Sequence, residues 1–242
     1  MIAILPVAGL PEIREGADLG ALVAAAAELE DGDVVVVAQK VVSKAEGRVV
    51  ALAGVDASQR AQELAGPGRD PRELEVILRE TAAIVRERAP LVIAETRHGF
   101  VCASAGVDHS NAPDENTLVL LPVDPDESAR RIRASIREHA NADVAVIVSD
   151  SFGRPFRQGT TDVAIGVAGL EPLRDLRGTL DRCGRELRTT QVAVADELAA
   201  AADLVRDDKA DGIPVVVVRG LTPMRDGTAQ ELVMPRDRDL FR

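Results

Sequence analysis

The sequence predicts an α+β fold, in which mixed sheets are flanked by helices, on three observations. First, DVVVVA at 33–38, DVAVIV at 143–148 and VVVVR at 215–219 are short β-branched runs, typical of strands buried on both faces. Second, the stretches between them carry helix-start residues and apolar positions at helical spacing. Third, strands and helices do not alternate in a strict βαβ order, which argues against a doubly wound sheet.

Each predicted element has a local signal. The helix at 18–30 is rich in Ala and Leu and ends at an Asp-Gly pair, and the helix at 71–88 starts at a proline. QKVVSKAEGR at 39–48 reads as a loop with two lysines. In chain order we predict strands at 2–7, 33–38, 48–52, 91–95, 144–148 and 215–219, and helices at 18–30, 58–65, 71–88, 126–140 and 189–205.

Composition limits the classes of partner. The 242 residues carry a formal net charge of −11, with four Phe and no Trp or Tyr. Negative charge opposes binding to nucleic acid or an anionic membrane, and few aromatic residues leave little for base stacking. The chain starts without the basic region of a signal peptide, and no apolar run reaches the roughly 20 residues that span a bilayer. We therefore predict a cytoplasmic protein without nucleic-acid or membrane partners; a small anionic substrate is compatible with this charge.

No shift in composition marks a domain boundary. We find no repeat, no low-complexity tract and no linker rich in Pro or Ser in the 242 residues. We predict one unit over 1–242, and a division into two subdomains stays open.

Acidic residues follow two apolar segments. Asp150 follows the five-residue apolar run at 144–148 after one serine, and Asp108 lies in a loop after another apolar segment. Carboxylates at strand ends are held rigidly and reach a cleft, which suits a hard cation such as Mg²⁺ or Mn²⁺. The alternative is that each Asp caps a turn of its own backbone.

Basic residues lie close to these acids in the sequence. Arg154 and Arg157 flank Pro155 in GRPFR, and arginine forks match phosphate and carboxylate geometry. Lys40 and Lys44 follow the strand at 33–38, where a lysine can reach a phosphate as a point charge. Solvated loops with surface ion pairs are the alternative for both groups. From the residues alone, the prediction is an α+β enzyme with a divalent-metal site and an anionic ligand.

Five ordered segments resemble the coenzyme F-420-0:L-glutamate ligase family, the γ-glutamyl ligases of the deazaflavin coenzyme. They are LPEIREGADL at 10–19, VVSKAEGR at 41–48, AGVDHSN at 105–111, SDSFGRPFRQGTTDVAIGVAGL at 149–170 and ADELAAAADLV at 195–205. The resemblance implies an unusual ligase fold in an intertwined homodimer. It also implies GTP-dependent addition of L-glutamate to coenzyme F-420-0, extension of a γ-linked tail through an acyl phosphate, Mg²⁺ or Mn²⁺, and stimulation by K⁺.

The same resemblance assigns roles to residues. Asp108 and Asp150 would share one metal ion and Ser151 would help to bind a second. Lys44 and Arg154 are the predicted catalytic residues, although the resemblance does not separate the roles of the two arginines. Gln39 stands where the family usually has Ser. The implied nucleotide-binding residues are Leu10, Pro11, Glu12, Ile13, Gln39, Lys44, Asn111, Lys209, Ala210, Asp211, Gly212, Ile213 and Pro214.

Three expectations complete the sequence-based prediction. Some relatives carry a C-terminal nitroreductase-like flavin domain, and we expect this chain to act without one and to bind no FMN. A divalent-metal-dependent phosphohydrolase is one alternative function, because it would use the same acids. A non-catalytic nucleotide-binding module is the other.

Overall fold

A computed structural model describes residues 1–206, 212–221 and 225–241. Within these residues the chain forms twelve strands and six α-helices. The strands are β1 (Ala3–Val7), β2 (Val34–Ala38), β3 (Val49–Ala51), β4 (Thr81–Arg88), β5 (Leu91–Thr96), β6 (Val101–Ala103), β7 (Thr117–Val119), β8 (Ala145–Arg154), β9 (Arg157–Ala168), β10 (Arg174–Asp175), β11 (Gln191–Val192) and β12 (Val215–Arg219). The helices are α1 (Leu19–Ala26), α2 (Gln39–Ala45), α3 (Gln59–Ala65), α4 (Pro71–Glu80), α5 (Pro125–Ala140) and α6 (Val194–Arg206). The prediction of an α+β fold with several sheets and flanking helices is confirmed, although only the five-stranded sheet is mixed within these residues; the unusual ligase fold and the intertwined homodimer stay predictions.

A five-stranded sheet in the order β1-β12-β2-β8-β9 forms the centre of the molecule. Strands β2 and β8 are parallel, with Val34 opposite Ala145 and Ala38 opposite Ser149, whereas the other neighbours are antiparallel. The valines of β2 and β12 are fully or almost fully buried, and full burial of one such side chain contributes about 1.5–3 kcal/mol. Because β2 and β8 run in the same direction, their carboxyl ends meet at one edge of the sheet.

Helices cover both faces of this sheet. One core cluster packs α1 and α5 against the sheet and includes Val23, Ile132 and Ile136. The cluster on the opposite face packs the small residues of α6, such as Ala199 and Ala202, against the other side of the strands. Small side chains allow the α6 backbone to approach the sheet closely, which explains the Ala-rich composition of this helix.

A third core cluster is built from residues between Leu52 and Leu120. It packs α3 and α4 against the three-stranded sheet β4-β5-β6, and the β3–β7 pair connects it to the centre of the protein. The backbone of Asp108 pairs with Val119 of β7. This pairing carries the loop that contains Asp108 towards the carboxyl edge of the central sheet.

Five predicted elements differ from the structure. The helix predicted at 18–30 ends at Ala26. Residues 39–45 form α2 rather than a loop, because Val42, Ser43 and Lys44 are buried there. The helix predicted at 71–88 ends at Glu80, and Thr81–Arg88 instead forms β4, which pairs with β5. The strand predicted at 144–148 continues to Arg154 and turns into β9, so GRPFR is the tip of a long hairpin. The helix predicted at 189–205 starts only at Val194, after the short strand β11.

Gly166 of β9 allows α5 to pack directly on the sheet. A Cβ atom at this position would lie 2.1 Å from the backbone oxygen of Pro125, the first residue of α5. Asp126 strengthens the contact, since its Oδ1 accepts hydrogen bonds from the backbone N–H of Val167 and of Ala229. The start of α5 therefore has little freedom to move away.

We expect Gly166→Ala to destabilise the fold by about 1–3 kcal/mol or more, because the added methyl group overpacks a backbone contact. Chemical denaturation measures this difference. Gly153→Ala is the matched control, since no heavy atom of the described residues lies within 4 Å of a Cβ there. Equal midpoints for the two variants would contradict the prediction.

Candidate active site

A cleft of about 370 Å³ opens at the carboxyl edge of the central sheet. It lies where β2 ends and α2 begins, and where β8 passes beyond the end of β2. Its lining residues are Leu10, Pro11, Glu12, Ile13, Ala38, Gln39, Lys40, Val41, Lys44, Asn111, Ser149, Asp150, Ser151, Thr160, Asp162, Asp203, Arg206, Gly212, Ile213 and Pro214. Segments that are distant in the sequence thus converge on one site.

Most of the residues implied by the resemblance meet in this cleft. Those that line it are Leu10, Pro11, Glu12, Ile13, Gln39, Lys44, Asn111, Asp150, Ser151, Gly212, Ile213 and Pro214. Asp108 is not among the described lining residues, but it contacts Lys40, which is one of them. Lys209, Ala210 and Asp211 lie outside the described residues. The nucleotide and metal roles of all these residues stay predictions.

Lys44 projects from α2 towards the loop at 10–13. Its side chain is 10% exposed, and its Nζ lies 2.6 Å from Oε1 of Glu12, whose side chain is 68% exposed. An ion pair with one exposed partner contributes little to stability. Lys44 can therefore exchange Glu12 for an anionic ligand at little cost in stability.

Gln39 is buried at the start of α2. Its amide nitrogen donates hydrogen bonds to Ser43 Oγ at 2.6 Å and to the backbone oxygen of Leu120 at 2.9 Å. Both amide protons are thus used within the fold, where they tie α2 to the segment after β7. A nucleotide contact by Gln39 would fall to its oxygen or its backbone.

Asp108 caps its own turn and also pairs with Lys40 of the cleft. Its carboxylate accepts hydrogen bonds from the backbone N–H and the hydroxyl of Ser110, as the turn-capping alternative predicts. It also pairs with Lys40 Nζ at 2.6 Å. Burial acts to raise its pKa, but the hydrogen bonds from Lys40 and Ser110 outweigh burial and lower the pKa to about 2.

Asp150 lies on the same side of the cleft as Asp108, and its pKa is shifted in the opposite direction. Burial raises the pKa of Asp150 to about 7, although Lys40 and the backbone N–H of Ser151 act to lower it. The negative charges of Asp162 and Asp108 raise it further. The ionised form of Asp150 therefore lacks sufficient positive charge around it.

Asp162 and Arg206 form a polar group beside Ser151. Asp162 Oδ1 accepts a hydrogen bond from the Ser151 hydroxyl at 2.7 Å, and Oδ2 accepts one from Ser149 at 2.7 Å. Arg206 Nη1 pairs with Asp162 Oδ2 at 2.5 Å and also donates to Ser149 Oγ. Asp162 is 3% exposed, so its charge depends on the guanidinium for compensation.

The donor set fits a hard divalent cation. Asp108, Asp150 and Ser151 offer only oxygen atoms, which Mg²⁺ and Mn²⁺ prefer, and a cation would compensate the charge of Asp150. Among the residues that the structure describes, no three His, Cys, Asp or Glu side chains form a complete metal-binding group. Mg²⁺ commonly takes one or two carboxylates and completes its shell with water and substrate phosphates, so a site of this kind fits the cleft.

The two arginines of GRPFR lie apart from these groups. Arg154 and Arg157 are opposite each other at the tip of the β8–β9 hairpin and are exposed. Neither belongs to the described residues that line the cleft. The structure therefore does not bring Arg154 together with Lys44, and its catalytic role stays a prediction.

Asp162 and Arg206 were not predicted as site residues, and Lys40 was considered only as a lysine that can reach a phosphate, without an assigned role. Lys40 could have been chosen, since it follows a core strand as Lys44 does. Asp162 is the one acid of β9 and comes just before the apolar second half of the strand, which is a weak signal. Arg206 has no distinguishing sequence feature, because a basic residue at a helix C-terminus is common.

Comparison with known proteins places the chain among related sequences. The sequence model of the F420-0:Gamma-glutamyl ligase family matches residues 9–220. The chain belongs to this family. The match begins just before the loop at 10–13 and extends beyond β12, so it includes every segment that lines the cleft.

Relatives from three organisms match over the whole chain. The sequence is 47% identical over 247 residues to the coenzyme F420:L-glutamate ligase of Methanopyrus kandleri, covering 100% of this chain and 98% of that protein. It is 44% identical over 250 residues to the enzyme of the same name from Methanothermobacter thermautotrophicus, covering 100% and 99%. For the corresponding Archaeoglobus fulgidus ligase, the identity is 41% over 242 residues, covering 100% and 96%. These identities make the family membership independent of the five motifs.

No helix within the described ranges has both the length and the apolar character needed to cross a membrane.

Proposed function

We propose that this protein is a GTP-dependent ligase that adds L-glutamate to the carboxylate of coenzyme F-420-0 and then extends a γ-linked glutamate tail. The observation that carries the proposal is the convergence of Lys40, Lys44 and Asp150 in one cleft, together with the pairing of Asp108 with Lys40. Family membership supports the substrates, since the relatives are named coenzyme F420:L-glutamate ligases.

Amide formation from a free carboxylate is unfavourable in water, so the carboxylate has to be activated. In the proposed first step, a carboxylate oxygen of F-420-0 attacks the γ-phosphorus of GTP, the bond to the β-phosphate oxygen breaks, and GDP leaves. The amine of glutamate then attacks the acyl carbon, loses a proton to water, and releases phosphate. Each step moves negative charge, so cationic side chains are needed around the phosphates.

Lysine side chains supply that charge from the protein. Lys44 would exchange its exposed partner Glu12 for a phosphate oxygen, and Lys40 can do the same once Asp108 has another cationic partner. Asp108 and Asp150 would share one Mg²⁺ or Mn²⁺ ion and Ser151 would help to hold a second; such ions, when bound, neutralise phosphate charge. K⁺ stimulation is part of the proposal on the resemblance alone.

There is room for more than the nucleotide. A second cleft of about 670 Å³ adjoins the first and shares Glu12, Ile13, Lys44 and Asn111 with it. A substrate in this second cleft would therefore also reach Lys44. Positioning two reactants against a common cation is the main contribution that such a site makes to rate.

The direct test is product analysis. The protein is incubated with F-420-0, GTP, Mn²⁺, K⁺ and L-glutamate, and product masses are measured. We expect products heavier by one or more glutamyl residues, together with GDP and phosphate. Replacing GTP with ATP tests the base preference. GTP hydrolysis that ignores both glutamate and F-420-0 would support the phosphohydrolase instead, and nucleotide binding without any product would support the binding module.

A further inference from the structure

Asp162 lies directly opposite Ser151 in the β8–β9 pair. Both oxygens of its buried carboxylate are used: one accepts from Ser151, and the other accepts from Ser149 and Arg206. Arg206 is itself fixed, because its Nη2 donates to the backbone oxygen of Val36 in β2 at 3.1 Å. Asp162 is therefore held in one orientation from two sides.

This arrangement determines which way the Ser151 hydroxyl points. A serine hydroxyl has one proton and two acceptor lone pairs, and an ionised carboxylate can only accept. The proton of Ser151 is consequently committed to Asp162, and its lone pairs are left for the cleft that the residue lines. In this state Ser151 Oγ can coordinate a cation or accept a hydrogen bond from an N–H group, but it cannot donate a hydrogen bond to a phosphate.

Strand geometry places the side chain of Ser151 on the face opposite to that of Asp150. Successive side chains of a strand point to opposite faces, so Ser149 and Ser151 share a face with Asp162 and α6, whereas Asp150 points to the other. Asp150 interacts with Lys40 and Asp108 on that side. Ser151 thus provides an oxygen on the side of the cleft away from the Asp108–Lys40 pair.

We propose that Asp162 and Arg206 are positioning residues, which orient the Ser151 hydroxyl so that its oxygen can coordinate a divalent cation. The inference rests on the proposed function, because it assumes that the cleft binds such a cation. Neither residue needs to touch the cation or the nucleotide. Groups of this kind, which hydrogen-bond to a ligand of the metal, typically change metal affinity by about 10–100-fold when they are replaced.

The test is Mn²⁺ binding by Asp162→Asn, followed by the electron paramagnetic resonance signal of free Mn²⁺. Arg206 will keep the oxygen of the substituted amide on its side, so the NH₂ group faces Ser151 and donates to it. The serine proton then turns into the cleft. We expect Mn²⁺ affinity to fall about 10–100-fold, both with Mn²⁺ alone and with a non-hydrolysable GTP analogue.

Asp196→Asn is the matched control. Asp196 of α6 also accepts a hydrogen bond from β9, at the backbone N–H of Ala164, but it is not among the described residues that line the cleft. The Asp196→Asn variant should bind Mn²⁺ with the affinity of the unaltered protein. An equal loss of Mn²⁺ affinity in both variants would assign the effect to general loosening of the α6–β9 contact and overturn the inference. Unchanged Mn²⁺ affinity in Asp162→Asn would also overturn it.

A second variant covers the case in which Asp162→Asn does not fold, since it removes one of the negative charges that compensate the buried Arg206. Asp162→Asn/Arg206→Met removes both charges, and it should also bind Mn²⁺ more weakly because Ser151 is no longer oriented. Unchanged affinity in a folded double variant overturns the inference. If the unaltered protein binds no Mn²⁺ in either condition, both this inference and the proposed metal site fail, whereas Mn²⁺ binding without ligation would remove only the proposed reaction.

Discussion

Asp150→Asn is expected to lower the rate of Mn²⁺-dependent glutamate ligation by about a thousandfold or more, because metal-ion catalysis is worth several kcal/mol. The change removes a carboxylate oxygen from the proposed metal site and leaves its shape almost intact. Burial raises the pKa of Asp150 to about 7, so a neutral side chain is tolerated there in the absence of a cation. We therefore expect the folded structure to persist, as measured by circular dichroism.

The control for this prediction is the same substitution beyond the opposite end of β8. Asp143 is half-exposed and pairs with Arg133 at 2.9 Å, remote from the cleft. Asp143→Asn should retain the activity of the unaltered protein. Near-normal ligation by Asp150→Asn would remove Asp150 from the metal site.

Lys44→Ala is expected to impair the use of GTP by on the order of a hundredfold or more, in line with loss of one preorganised charge contact. Steady-state kinetics with GTP as the varied substrate measure the effect. Lys44 is 10% exposed, and its stem packs within the fold, so the alanine variant loses contacts as well as charge. Lys44→Met keeps most of the stem and separates the two contributions.

A loss in Lys44→Met similar to that in Lys44→Ala would assign the effect to the charge. A methionine variant with normal kinetics would show that packing is responsible. If the KM for glutamate rises while the KM for GTP does not, Lys44 belongs to the acceptor site, which is compatible with its place between the two clefts. Either of these last two results would contradict a role on the nucleotide phosphates.

The central strands could be predicted from the sequence because continuous β-branched runs are typical of strands buried on both faces. DVVVVA and VVVVR became β2 and β12 with boundaries within a residue of those predicted. The misassigned segments lack such a local signal. QKVVSKA forms a helix because Val42 enters the core, and Thr81–Arg88 becomes a strand because it pairs with β5. Both outcomes depend on contacts that a local pattern does not contain.

The site was also predictable only in part, where a local pattern marks the residue. Acids at the ends of apolar runs pointed to Asp108 and Asp150, and the structure places both near Lys40. Asp162 and Arg206 could not be recognised, because their meeting depends on α6 returning to β9 from 44 residues further along the chain. Their significance comes from the hydrogen bonds they make with two serines.

The contacts that complete the cleft have one consequence for the stage of synthesis at which the site can form. Lys40 reaches Asp108 across 68 residues, and Arg206 reaches β2 across 170. A growing chain cannot make the second contact until α6 has left the ribosome. Such long-range pairing is slow compared with local helix formation, so we expect substrate binding to appear only after α6 has been synthesised and has packed on the sheet. A partly synthesised chain would then sequester none of the nucleotide pool.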